Sequence, residues 1–228
     1  MYQPNVLVLI AAWNEEEGIG PTLEELKNVL GDASFLIVDG NSTDRTVEIA
    51  KDAGAEILVQ EGKGKGKAIA QAVKHISQNF DYVILTDGDF TYPAGYIPEM
   101  LKILNDHPNV GMVCGDRFTE SLDLGEMHNF LYFGNRFLAF THNMLNGVEL
   151  RDPLTGLRVL RADVLRDWKP KSKSFDIEVE LNHQVERKGY AIKEIPITYR
   201  SRLGEKKLRL RHGFTILKRI LSEAIPRP

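Results

Sequence analysis

The chain has 228 residues, 43% of them hydrophobic and 27% charged, which excludes wholesale disorder and suits one α/β domain with a sizeable core. A single cysteine, Cys114, excludes an internal disulfide framework or a cysteine-based zinc site. The net charge of −3 hides an asymmetry, because 12 Lys+Arg and 3 Asp+Glu follow from Arg187 onward, a +9 tail on a body of −12.

Such a tail suits phosphate, nucleic acid or an anionic membrane surface, or else forms a solvated helix face. The acidic body argues against nucleic acid. The longest apolar run, Val6 to Trp13, is far short of the ~20 residues that span a bilayer, and no basic segment precedes it as in a signal peptide. The protein is therefore expected to be soluble or membrane-peripheral, and the lone cysteine fits a reducing compartment.

In chain order, short apolar runs predict strands at Val6–Ala12, Phe35–Asp39, Ala55–Val59, Tyr82–Thr86 and Val110–Gly115. Helical spacing appears between them at Glu16–Leu30, Thr43–Asp52, Lys67–Gln78 and Ala94–Asn105. This alternation predicts a mostly parallel sheet with right-handed crossovers, and ligands then bind beyond the strands' carboxyl ends. Farther on, Met127–Leu145 reads as an aromatic helix, Asp152–Arg161 as a turn and strand, Phe175–Arg187 as a helix, and Ala191–Tyr199 as a strand. Arg200–Arg211 is a basic loop and Leu210–Ile225 an amphipathic helix.

Asp87-Gly-Asp89 follows the fourth strand. Two hard carboxylates there, completed by a substrate diphosphate, suit Mg²⁺ or Mn²⁺; a bare turn is the alternative. Asp39 ends the second strand and suits a base N–H or a ribose hydroxyl, while Ser42 or Thr43 caps the next helix with Asp44 in its first turn. Asn14-Glu15-Glu16 leaves the first strand toward the same crevice. Gly62-Lys-Gly-Lys-Gly66-Lys67 fails the Walker A pattern, since Ala68 stands where a Ser/Thr is needed. Its lysines either touch a diphosphate or sit in a surface loop. Asp152-Pro-Leu-Thr155-Gly156-Leu-Arg158 offers polar groups to a ligand or forms a structural turn. The basic loop carries six cations around Glu205, a composition suited to closing over phosphates. Six histidines show no metal-binding spacing, and His128 and His142 are expected to be structural. Phe130, Phe133, Phe137 and Phe140 pack in the core or wall a lipid tail.

Taken together and in order, these motifs resemble family-2 glycosyltransferases of the GT-A fold, in the dolichyl-phosphate (polyprenyl-phosphate) sugar synthase branch. The carriers are Ala11-Ala-Trp-Asn14-Glu15, Val38–Asp44, Asp87–Pro93, Gly115-Asp-Arg117, Asp152–Arg158 and Arg202–Leu208. The resemblance implies an α/β, GT-A (Rossmann-like) single domain over 1–210; the basic amphipathic segment 211–228 is expected to be a membrane-peripheral helix. It implies that Ala11, Trp13, Asn14, Glu15, Asp39, Lys67 and Gly88 bind the nucleotide-sugar donor. Asp87 and Asp89 would meet ribose, metal and diphosphate, Arg202 and Lys207 would clamp the diphosphate, and Arg117, Arg136 and Arg158 would face the acceptor phosphate. Asp87, Asp89, Arg117 and Arg202 are the implied catalytic set. The motifs around Asp39 and Asp87 resemble users of UDP-glucose or UDP-N-acetylglucosamine more than of GDP-mannose. The chain departs from the family pattern at Ala11 for proline, Lys206 for serine and Tyr92 for Gln or His. The implied setting is the cytosolic face of a membrane, with the tail against anionic lipid. Remaining alternatives are a transferase with a soluble or polysaccharide acceptor, a sugar nucleotidyltransferase lacking its usual loop, and an inactive regulatory subunit.

Overall fold

The structure, a computed structural model, describes residues 4–76, 79–120, 129–146, 149–207 and 210–224. Among these residues seven strands form one sheet: β1 (Val6–Ala12), β2 (Ser34–Asp39), β3 (Glu56–Val59), β4 (Tyr82–Thr86), β5 (Val110–Asp116), β6 (Arg158–Arg161) and β7 (Ala191–Pro196). Their order is β3-β2-β1-β4-β6-β5-β7. All pairings are parallel except those of β6, which runs antiparallel between β4 and β5.

The helices are α1 (Glu16–Leu30), α2 (Thr46–Asp52), α3 (Lys65–Val73), α4 (Ile97–Asp106), α5 (Arg117–Glu120), α6 (Asn129–Asn146), α7 (Ala162–Leu165), α8 (Ile177–Arg187) and α9 (Leu210–Glu223). Strand alternation divides the core in two. Val6, Val8, Ile10 and Ala12 pack on one face with Ile19 and Leu23 of α1 and Met100 and Leu104 of α4. Leu7 and Leu9 pack on the other with Ile69 of α3 and Leu181 of α8. Covering both faces is why these strands read as continuous apolar runs. Cys114 is buried within β5, and burial pushes its thiol up to about 12.

Several boundaries differ from the sequence expectation, each for a local reason. Helix α2 starts at Thr46, not Thr43, because Asp44 accepts hydrogen bonds from the Thr46 N–H and hydroxyl. Ser42 does not cap it; its hydroxyl accepts the Asn14 N–H at 2.9 Å. Helix α3 begins two residues early, at Lys65. The Ala94–Asn105 helix divides into a 3-10 turn, Ala94–Tyr96, and α4. Residues 127–128 of the expected aromatic helix, His128 among them, lie outside the described residues, as does Leu208 in the basic motif.

Helix α9 docks on the body. Ile216 and Ile220 pack with Leu138 of α6 and Val179 of α8, and Arg219 pairs with Asp176 at 3.0 Å. Its other side stays open, with Phe214 78% exposed. Among the described residues no helix is long and apolar enough to cross a membrane.

Candidate active site

Chain order reverses between β1 and β4: β2 and β3 lie to one side of β1, and β4 lies to the other. Crevices of this kind, beyond the carboxyl ends of the strands, are where nucleotides bind. The register brings the strand ends level, with Ala12 opposite Asp39 and Ile10 opposite Thr86. Loops carrying Asn14-Glu15, Asp39 and Asp87–Asp89 therefore emerge side by side.

These loops are tied together by their own polar groups. Thr43 N–H donates to Asn14 Oδ1 at 2.8 Å and Glu15 N–H to Thr46 Oγ1 at 2.8 Å. Asn14 takes a left-handed conformation, φ 51°, which asparagine tolerates. Asp39 is buried and accepts the Ser42 N–H. Phe90, directly after the acidic pair, also has a positive φ of 65°, a strain of about 1–3 kcal/mol that tends to persist at functional sites. Its N–H donates to Thr22 Oγ1 at 3.0 Å, and the Arg200 guanidinium lies 4.5 Å over its ring. Gly18 of α1 lies so close that a Cβ there would meet Gly88 O at 2.6 Å.

The two carboxylates of the acidic pair differ. Asp87 Oδ1 accepts from Lys65 Nζ at 2.7 Å, and the same ammonium contacts Glu178 Oε1 at 2.8 Å. Burial pushes the Asp87 carboxyl up, but Lys65, helped by Arg117 and Arg202, outweighs it and holds it below the usual range. Asp89 is the less solvent-exposed, and burial together with the Asp87 charge raises its pKa. Asp89 Oδ1 accepts from Thr91, and Oδ2 sits 3.1 Å from Arg202.

A basic strap following β7 crosses this pair. Arg200 N–H donates to Thr91 O and Leu203 N–H to Asp89 O, each at 3.0 Å. Arg200 grips Glu25 of α1 with both guanidinium nitrogens, at 2.7 and 2.8 Å. Arg202 also donates to both Glu15 oxygens, and Lys207 Nζ to Asn14 O at 2.8 Å. Burial raises Glu15 to about 7 against the opposing pull of Arg202 and Lys207. Trp13 is exposed, with Lys207 6.0 Å over its ring.

On the far side of Asp87, Arg117 forms a buried bidentate pair with Asp152, at 2.6 and 2.8 Å, and lies 5.3 Å over Tyr199. Asp152 is thus spent on Arg117. Gly156 lies against Asp87 Oδ2, and its N–H donates to Tyr92 Oη at 2.7 Å. Tyr92 in this position therefore braces the turn.

The structure brings together Ala11, Asn14, Glu15, Asp39, Asp87, Gly88, Asp89, Arg202 and Lys207, with Arg117 beside them. Arg136 is exposed on α6, 5.7 Å over Phe118. Lys67 is exposed, its ammonium curled toward Gly62; Lys65 is the lysine that turns inward. Arg158 corrects the expectation of an acceptor-phosphate contact. It is 1% exposed, and its donors are taken by Thr155 O, Pro153 O and Asn182 Oδ1, so it fastens the Asp152–Arg158 turn from beneath. His142 is buried, as a structural histidine would be, and burial lowers it to about 4. Sequence reasoning singled out Lys67 within the run that holds Lys65, and it missed Glu178. The alternation of the glycine–lysine run was the available signal for Lys65; nothing local marked Glu178.

The sequence and the fold are both similar to those of known proteins. Residues 7–168 match Glycosyl transferase family 2. A dolichyl-phosphate hexose transferase of Haloferax volcanii is 36% identical over 90% of this chain and 86% of its own length. Glycosyltransferase AglJ of the same organism is 35% identical over 85% of this chain, which spans 62% of that relative. Glucosyl-3-phosphoglycerate synthase of Mycobacterium tuberculosis, solved with uridine diphosphate, shares the fold with a TM-score of 0.76 over 98% of this chain and 82% of its own, at 20% identity. On the matched span and on these identities, the chain belongs to glycosyl transferase family 2.

Proposed function

We propose that the protein is an inverting, metal-dependent hexosyltransferase that moves a sugar from a nucleotide-sugar donor to dolichyl or another polyprenyl phosphate. The observation that carries the reading is the acidic pair Asp87–Asp89 at the β1/β4 crevice, faced by Lys65, Arg117 and Arg202. Two carboxylates beside that many cations suit a diphosphate and its metal better than either alone.

Asp87 and Asp89 fit Mg²⁺ or Mn²⁺. They are two hard carboxylates, two residues apart just past the carboxyl end of β4, and substrate oxygens would complete the set. When bound, the metal would supply charge neutralisation of the leaving diphosphate. Asp39 and Asn14-Glu15 would hold the nucleoside, Arg202 and Lys207 the diphosphate, and Arg117 with Arg136 the acceptor phosphate. UDP-glucose or UDP-N-acetylglucosamine is favoured over GDP-mannose, on the resemblance of the Asp39 and Asp87 motifs.

The relative named for dolichyl-phosphate hexose transfer supports the acceptor class. A phosphate monoester, with its second pKa about 6, is mostly a dianion near neutral pH. Its oxygen forms the bond to the anomeric carbon as the bond from that carbon to the diphosphate oxygen breaks, and the nucleoside diphosphate leaves with the electron pair. No general base is required, and the centre inverts. The protein's share is positioning. Phe137, Phe140 and Met144 of α6 and Phe214 and Leu221 of α9 are exposed, an apolar surface suited to the lipid's tail and to peripheral contact with the cytosolic face of a membrane.

The test is transfer of labelled sugar from each donor, with Mn²⁺, to a short polyprenyl phosphate or to a soluble hexose phosphate. Label in the lipid product supports the reading; label only in the soluble product removes the lipid acceptor.

A further inference from the structure

The glycine–lysine run after β3 is only partly used by the site. Lys65 turns inward to Asp87 and Glu178, whereas Lys63 and Lys67 are exposed. A second alternating segment, Lys169-Pro-Lys171-Ser-Lys173, joins α7 to α8, and its three lysines are also exposed. The fold seats one segment on the other. A Cβ at Gly64 would lie 2.2 Å from Lys173 O, and one at Gly66 would lie 2.5 Å from Ser172 O. Only glycine permits that approach.

The second segment is fixed by Glu180, whose carboxylate accepts the N–H groups of Lys171 and Ser172 and the Ser172 hydroxyl. Five exposed lysines therefore lie on two fastened segments beside the crevice, Lys67 in the first turn of α3 with its ammonium toward Gly62. None of the five has an ion pair among the described residues; Glu61 and Asp167 are the exposed acids next to them in sequence. Phe175, two residues past Lys173, lies 4.8 Å from His212 of α9 and packs with Leu138 of α6 and Ile216 of α9, so the second segment abuts the two helices whose open sides carry Phe137, Phe140, Met144 and Phe214.

We propose that Lys63, Lys67, Lys169, Lys171 and Lys173 form, with the outward faces of α6 and α9, one membrane-docking surface that binds anionic lipid headgroups and turns the crevice toward the bilayer. This rests on the lipid-phosphate acceptor proposed above. Cations on segments that abut helices with exposed aromatics fit an anionic lipid surface, where the apolar groups enter the interface and the lysines meet the headgroups. A nucleic acid would use the lysines but leave the apolar half without a partner.

The experiment is vesicle co-sedimentation with phosphatidylcholine alone and with added phosphatidylglycerol. It compares the native chain, Lys171→Gln/Lys173→Gln, and the charge-matched Lys102→Gln/Lys188→Gln. The native chain is expected to sediment with the anionic vesicles. At about a kcal/mol per lysine near the surface, the loop variant loses roughly 10–30-fold in affinity and the matched control roughly twofold or less. Phe214→Ser weakens binding to the same vesicles. Equal losses in the loop variant and the control, or no native binding to anionic vesicles, overturn the proposal. A loop variant that loses single-stranded DNA binding while keeping vesicle binding does so too. Donor titration with Mn²⁺ on the same variants separates the two readings, since donor binding persists if only the docking surface is wrong and is absent if the transferase reading is wrong.

Discussion

Gly156→Ala isolates the geometry of Asp87 with a single methyl group. A Cβ at 156 would stand 2.4 Å from Asp87 Oδ2, 3.1 Å from Asp87 Cγ and 2.9 Å from Tyr92 Cε2. Ordinary contact begins near 3.4 Å, so the carboxylate must retreat by about 1 Å. Rotation offers no relief, because Lys65 holds the other oxygen at 2.7 Å. Backing the turn away strains the Gly156 N–H bond to Tyr92 and, beneath it, the Arg158 contacts. Overpacking of this kind costs about 1–3 kcal/mol, which urea unfolding would report. A misplacement of about 1 Å at a reacting centre lowers a rate by as much as about 10²-fold, so transfer should fall far more than stability. Gly134→Ala on α6, where no described atom lies within 4 Å of the new methyl, is the matched control and should gain up to about 1 kcal/mol. Wild-type transfer by Gly156→Ala would refute the placement of Asp87 in the site.

Three further outcomes follow from the same geometry. Asp152→Ala leaves the buried Arg117 guanidinium without its bidentate partner, and denaturant melts should show a loss of about 3–5 kcal/mol. Glu178→Gln releases Lys65 to Asp87 alone; calorimetry should find metal-dependent nucleotide affinity about tenfold weaker, about 1.4 kcal/mol, with metal-free affinity unchanged. Glu15 has its pKa raised by burial from 4.5 to about 7, so its folded form holds a proton more tightly than the unfolded chain does. Its contribution to stability is full below about pH 4.5 and lost as pH rises through about 7. Glu15→Gln should therefore match the native chain at pH 4 and gain on it as pH rises through about 7 to 8.

The parallel half of the fold was legible because its strands are covered on both faces. Val6–Ala12 and Tyr82–Thr86 read directly as apolar runs, and their observed bounds are the same. The antiparallel insertion of β6 between β4 and β5 was not legible, since strand pairing is long-range and Arg158–Arg161 carries the same local pattern in either direction. Asp87 and Asp89 could be found because residue type and strand-end position coincide, and Arg202 because it stands in a loop dense in cations and in a motif that resembles the family's. Arg158 misled because an arginine that fastens a turn and one that meets a phosphate look alike in sequence; burial distinguishes them. Lys65 and Lys67 are two residues apart in the same glycine–lysine run, and which one turns inward depends on where α3 begins. Glu178 reaches the site from α8, more than a hundred residues beyond Lys65, and no local spacing announces it.

The central claim is that Asp87 and Asp89 hold a divalent metal against a nucleotide-sugar donor. Its most direct test is calorimetric titration of UDP-glucose, UDP-N-acetylglucosamine and GDP-mannose with Mn²⁺, on the native chain and on Asp89→Ala. Metal-dependent binding of one donor, lost in Asp89→Ala, is the predicted result. Binding of no donor with metal present, or binding that Asp89→Ala leaves intact, would contradict it.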